Sequence, residues 1–93
     1  MYFTNIASKA SFPIKDGAGF VQGFTIVSQG TAWTLQLFDS PKAGTSNPIV
    51  GATAMVLSGI AIGTFVRIDA HFSNGLQAVS AGTTAGELVL TWQ

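Results

Sequence analysis

Arg67, Asp69, His71 and Ser73 carry the most chemistry in this chain. Their spacing of two places them on one face of an extended strand. A carboxylate, an imidazole and a hydroxyl are the groups of a Ser-His-Asp hydrolase, in which the acid orients the histidine that activates the serine. Such triads are assembled by the fold from distant segments, whereas residues two apart on one strand point side by side. The chain has a single histidine, so no second constellation can supply the base. The series therefore reads as a solvated strand face or a subunit contact. No catalytic residue is assigned, and the protein is expected not to be an enzyme.

Metal chemistry is no better supplied. Zinc takes three or four His, Cys or carboxylate ligands; here there is one histidine, no cysteine and four scattered acids, Asp16, Asp39, Asp69 and Glu87. Asp16 or Asp39 with loop carbonyls would be the start of a calcium site, but the carboxylate spacing of a calcium loop is absent. Gly17-Ala18-Gly19 is followed by an apolar strand pattern and lacks the preceding strand, third glycine and helix of a dinucleotide loop. No metal and no cofactor are expected. Trp33 and Trp92 have rings suited to stacking on a sugar or base. Each lies in register with leucines at a period of two, which assigns both to the core.

These residues sit in a surface with very little charge. Lys9, Lys15, Lys42 and Arg67 balance the four acids, so 9% of the residues are charged and the net charge is zero, against roughly 25% in an average soluble domain. A free monomer uses a charged surface and a net charge to stay apart from its neighbours. This composition implies that other subunits cover much of the surface, and a closed ring, a trimer, is expected. Four dispersed cations do not make a nucleic-acid surface. The uncharged run from Pro48 to Phe65 approaches the ~20 residues of a membrane span. It contains Pro48, Gly51, Gly59 and Gly63 and has no flanking Trp or Tyr, so it reads instead as two strands joined at Ser58-Gly59. The N-terminus has no basic start followed by an apolar run, so no signal peptide is read there.

The elements that must position all of this are short strands punctuated by Gly, Ser, Asn and Pro. Phe20 to Ser28 has Phe20, Phe24 and Ile26 on one side. After a turn at Gln29-Gly30, Thr31 to Asp39 sets Trp33, Leu35 and Leu37 on one face. Ser40 to Pro48 is a polar loop, and strands at Ile49 to Leu57 and Ile60 to His71 follow. In the second of these Val66, Ile68, Ala70 and Phe72 face opposite to Phe65, Arg67, Asp69 and His71. Asn74-Gly75 is a turn. Leu76 to Ala81 and Glu87 to Gln93 are expected as a closing hairpin, with Leu88, Leu90 and Trp92 on one face. Tyr2 to Ala7 is a weakly patterned strand, followed by a linker through Pro13. The expected fold is all-β: one small β-sandwich, jelly-roll or immunoglobulin-like, of about seven or eight strands. Residues 1–18 are assigned to an N-terminal arm and linker, and residues 19–93 to the sandwich. Tyr2, Phe3 and Phe12 in the arm are expected to pack on a neighbouring subunit.

The pieces GFVQGFTIV, TAWTLQLFDSPKAGT, HFSNGLQAV and SAGTTAGELVLTW, spanning Gly19 to Trp92, stand in the order found in a family of small tailed-phage virion proteins. The chain resembles that family in its turns and core positions, so no functional residue is carried over. The resemblance implies a non-enzymatic structural component of a bacteriophage virion. The leading expectation is a capsid decoration (cement) subunit that stabilises the head. It would be made in the host cytoplasm and would contact itself and the major capsid protein or another virion protein. The alternative is a small tail or fibre component that contacts a host receptor or glycan.

Overall fold

A computed structural model describes residues 1–40, 49 and 55–93. They form eight strands: β1 (Tyr2–Ile6), β2 (Ala10–Asp16), β3 (Gly19–Ser28), β4 (Thr34–Phe38), β5 (Met55–Val56), β6 (Phe65–Phe72), β7 (Gly75–Ala81) and β8 (Glu87–Trp92). Two four-stranded antiparallel sheets result, in the orders β1-β8-β3-β6 and β2-β7-β4-β5. The pairs β1 with β8, β2 with β7, β3 with β6 and β4 with β5 have a simple relation. They are the pairs of one long antiparallel hairpin, and rolling that hairpin up adds the contacts of β3 with β8 and of β4 with β7. This winding is the eight-stranded jelly roll, the first of the two sandwich types expected.

The winding corrects the expected closing hairpin. β7 and β8 lie in different sheets, so the Gly82 to Gly86 loop crosses from one layer to the other rather than reversing within a sheet. Backbone contact with the segment after β3 pins that loop: Thr31 and Thr84 form a bridge. A Cβ on Gly86 would lie 2.2 Å from the Ser28 carbonyl oxygen, and one on Gly30 would lie 2.1 Å from that of Thr84. Only glycine permits so close a crossing.

The sheets close on a core of Ile6, Val21, Phe24, Ile26, Trp33, Leu35, Leu37, Phe72, Leu76, Leu88 and Leu90. Alternation delivers most of these side chains inward. Trp33, Leu35 and Leu37 are fully buried, and in β6 the face of Val66, Ile68 and Ala70 is more buried than that of Phe65, Arg67, Asp69 and His71. The indole N–H of Trp33 donates to Ser80 Oγ at 2.9 Å, satisfying the one polar group its burial would otherwise strand.

Two expectations fail for physical reasons. Phe20 does not share a face with Phe24 and Ile26. β3 has an extra residue relative to β8 at Gln22, and a one-residue bulge switches the inward parity, so Val21 takes the core position and Phe20 turns toward His71. The arm and linker assigned to residues 1–18 instead contain two strands of the sandwich. β1 pairs with β8 over five positions and buries Ile6, and β2 pairs with β7. Pro13 is accommodated because β2 is an edge strand with a register shift between Pro13 and Lys15, where a missing N–H costs no ladder bond. Most of the loop expected at 40–48 and of the strand expected at 49–57 lies outside the described residues. Ser40 is buried, and Ile49 N–H donates to the Leu37 carbonyl at 2.9 Å. Ser58 and Gly59 form the expected turn. It is held by Gln29 Nε2, which donates to the Leu57 and Ile60 carbonyls, and by Ser58 Oγ, which accepts from Trp33 N–H. No helix among the described residues is long and apolar enough to cross a membrane.

Candidate interaction surface

The outer face of the first sheet gathers side chains from all four of its strands. Cross-strand register sets Phe3 beside Thr91, Thr91 beside Gly23 and Gly23 beside Arg67. A second row runs Asn5, Val89, Thr25, Phe65. Residues of both rows contribute to a groove of about 390 Å³ lined by Met1, Phe3, Gln22, Thr25, Phe65, Arg67, Asp69 and Thr91. Its walls are aromatic and largely uncovered: Phe3 is 68% exposed and Phe65 47%.

Local backbone explains this arrangement. Gly23 has no side chain, and the Phe65 ring occupies the space above it; a Cβ there would meet Phe65 Cζ at 2.8 Å. One strand over, β6 carries an extra residue relative to β3, and Asp69 at that bulge has φ of 51°. Asp and Asn enter this left-handed region more readily than other non-glycine residues. The Asp69 carboxylate pairs with Arg67 Nε two residues away on the same strand. The two charged side chains of the groove therefore neutralise each other at the surface. Among its lining residues, Gln22 has a buried Oε1 that accepts no hydrogen bond from the described residues.

The Arg67, Asp69, His71, Ser73 series is divided by the fold. Asp69 faces Arg67 in the groove, whereas His71 and Ser73 line a separate shallow depression of about 570 Å³ with Lys15, Phe20 and Gln93. The His71 ring sits edge-on to Phe20, with centroids 4.7 Å apart. The Ser73 and Asn74 N–H groups donate to Asp39, at 3.0 and 2.8 Å. Burial raises the pKa of Asp39, but the N–H groups of Asn74, Ser73 and Gly75 lower it by more, holding the carboxyl below its usual range. Asp39 is thus the anchor of the β6–β7 turn. Among the described residues no three His, Asp or Glu side chains converge.

No family model, no curated protein and no solved structure matches this chain.

The three residues expected at an interface occupy different places. Phe3 is on the outer groove. Tyr2 is exposed at the sheet edge and stacks on Trp92 at 4.8 Å, while the Trp92 indole N–H donates to Thr4 Oγ1 at 2.9 Å. Phe12 is half-buried against the core. Phe65, Gln22, Thr25 and Thr91 were not singled out from the sequence. The signal for Phe65 was present: it is a phenylalanine on the polar face of an alternating strand, in series with Arg67 and Asp69.

Proposed function

We propose that this chain is a non-enzymatic structural subunit of a bacteriophage virion, a capsid decoration protein that stabilises the head by binding assembled shell and copies of itself. The observation that carries the reading is the outer face of the first sheet. Two exposed aromatic rings flank a groove whose two charged side chains, Arg67 and Asp69, are paired with each other, on a chain of zero net charge. Such a face gains by burial against another subunit and meets no electrostatic repulsion from a second copy. The jelly roll is an architecture of capsid domains as well as lectins, and this association agrees with the sequence resemblance while giving no mechanism by itself. A subunit that prefers assembled shell to free capsid protein stabilises the shell by mass action, with no chemistry. Its partners are itself and the major capsid protein or another virion protein, and its place is the capsid surface. The test is co-sedimentation with shells stripped of their outer subunits. Wild-type protein binds up to a stoichiometry set by the shell lattice, and Phe3→Ala with Phe65→Ala weakens binding at least tenfold. Failure of the wild type to bind overturns the reading.

One observation favours a second reading, a tail or fibre component contacting a host glycan. Gln22 Oε1 has no hydrogen-bond partner among the described residues, and Gln22 lines the groove with Phe3 and Phe65, a combination of amide and rings that suits the hydroxyls and apolar face of a sugar. Chemical-shift perturbation of Gln22 and Phe65 by simple sugars would support it, and a flat titration would remove it.

A further inference from the structure

A sheet edge exposes a row of N–H and C=O groups that templates further pairing, and proteins guard such edges with charge, proline, bulges or shortness. Among the described residues the sandwich has four edges: β1 and β6 in one sheet, β2 and β5 in the other. β6 is guarded by Arg67 and Asp69, by the bulge at Asp69 and by His71. β2 is guarded by Pro13, which has no N–H, by its register shift, and by Lys15 and Asp16. The described part of β5 is two residues long. β1 differs from all of these. Tyr2–Ile6 contains no charged side chain, no proline and no bulge, and its register against β8 runs unbroken through five pairs. Alternate residues of such a strand turn their backbone groups away from the neighbour they already pair with. On β1 those groups face outward, flanked by Tyr2 toward one sheet face and Phe3 toward the other, both more than half exposed.

We infer that β1 pairs antiparallel with β1 of a second copy, joining two first sheets into one continuous eight-stranded sheet across a two-fold axis. The second copy is the occupant that the charges favour. Residues 2–8 contain no ionisable group other than the Tyr2 phenol, so self-pairing brings no like charges together, and each Phe3 and Tyr2 gains an apolar neighbour. An antiparallel self-pairing is isologous and closes at two. The edges left at the ends of the joined sheet are both β6, the guarded ones, so the assembly stops at a dimer instead of growing into a fibre. The arrangement is therefore two-fold, in place of the three-fold ring expected from composition.

This inference rests on the reading of the chain as a self-assembling subunit, and the experiment separates the two. The chain has no cysteine, so single replacements report proximity without background. Phe3→Cys, Thr4→Cys and Asn5→Cys place thiols along β1, and Ser11→Cys and His71→Cys place them on the guarded edges. Mild oxidation of the full chain should give a disulfide-linked dimer from at least one β1 position and from neither control. Light scattering of the unsubstituted chain should give the mass of two subunits. The double variant Phe3→Lys with Asn5→Lys sets like charges across the axis and leaves the new Lys near Glu87, which Asn5 contacts now. Its dimer should dissociate at least tenfold more readily, with an unchanged circular dichroism spectrum. If that variant unfolds, the cysteine series alone decides. An oligomer cross-linked through residue 11 or 71 and not through β1, or a three-fold mass, overturns the edge pairing and leaves self-assembly standing. A monomer at micromolar concentration overturns both.

Discussion

Ile6 tests whether the first residues of the chain belong to the fold. Its side chain is fully buried and its backbone pairs with Leu88 in the middle of the core. Truncating a buried isoleucine to alanine costs about 2–5 kcal/mol, depending on how far the site collapses. A chain of 93 residues has about 5–14 kcal/mol of total stability at the usual range per residue. Ile6→Ala should therefore remove a large fraction of it and lower the melting temperature by at least about 8 °C, at about 4–8 °C per kcal/mol. Deleting residues 1–8 is harsher. It removes the Ile6 burial, about 1.5–3 kcal/mol, the Thr4–Trp92 hydrogen bond, about 0.5–1.5 kcal/mol, and the Tyr2–Trp92 stack, about 0.5–1.5 kcal/mol. It also uncovers the flanks of Leu88 and Leu90. The loss, about 2.5–6 kcal/mol before any exposed ladder is counted, is comparable at its upper end with the total at the low end of that range. The assay is thermal and urea unfolding followed by circular dichroism and tryptophan fluorescence at one fixed protein concentration. A truncated chain that melts cooperatively within a few degrees of the full one would refute the argument, for residues 1–8 would then be a dispensable arm.

Two further outcomes follow from the turns and bulges. Asp39→Ala should cost about 1.5–3 kcal/mol at neutral pH by releasing the Ser73 and Asn74 N–H groups. Because the folded-state pKa of Asp39 is depressed, its contribution is full above the ordinary carboxylate value and is lost as pH falls through the folded one. The gap between wild type and variant should accordingly narrow below about pH 4, and a gap that is constant between pH 7 and pH 3 in urea titrations would refute the ionised anchor. At Asp69, with φ of 51°, Asp69→Gly should be more stable than Asp69→Val by about 1–2 kcal/mol. Both variants lose the Arg67 pair, so the comparison isolates the backbone, and equal stability would refute the bulge.

The sequence disclosed those elements whose two faces differ. Trp33, Leu35 and Leu37 alternate with Thr34 and Gln36, and Val66, Ile68 and Ala70 alternate with charged neighbours, because each strand has one side in the core and one in water. β1 and β2 gave little signal because an edge strand at the rim buries few side chains; of Tyr2–Ile6 only Ile6 is fully covered. Pro13 is disfavoured in a central strand and so suggests a linker, although an edge strand tolerates it. Phe20 was misplaced because a bulge shifts parity without leaving a mark in local composition. The sheet order was not legible at all, since it depends on which distant strands meet and not on any local pattern. The groove between Phe3 and Phe65 joins residues from four strands for the same reason, and Asp39 gave no hint that a turn 34 residues away would need its carboxylate.

The rolled-up pairing also fixes a timetable. Tyr2 pairs with Trp92 and Ile6 with Leu88, so the first strand made must wait for the last one before it has a partner. Contacts that close such long loops carry their entropic cost before they return any stability, and chains dominated by them fold on slow timescales. During synthesis β1 emerges from the ribosome with Tyr2, Phe3 and Ile6 uncovered, while the inner pairs, β4 with β5 and β3 with β6, are the first that can form. The sandwich is therefore sealed only after translation has passed residue 92, and the strand added last to the sheet is the one that carries the open edge.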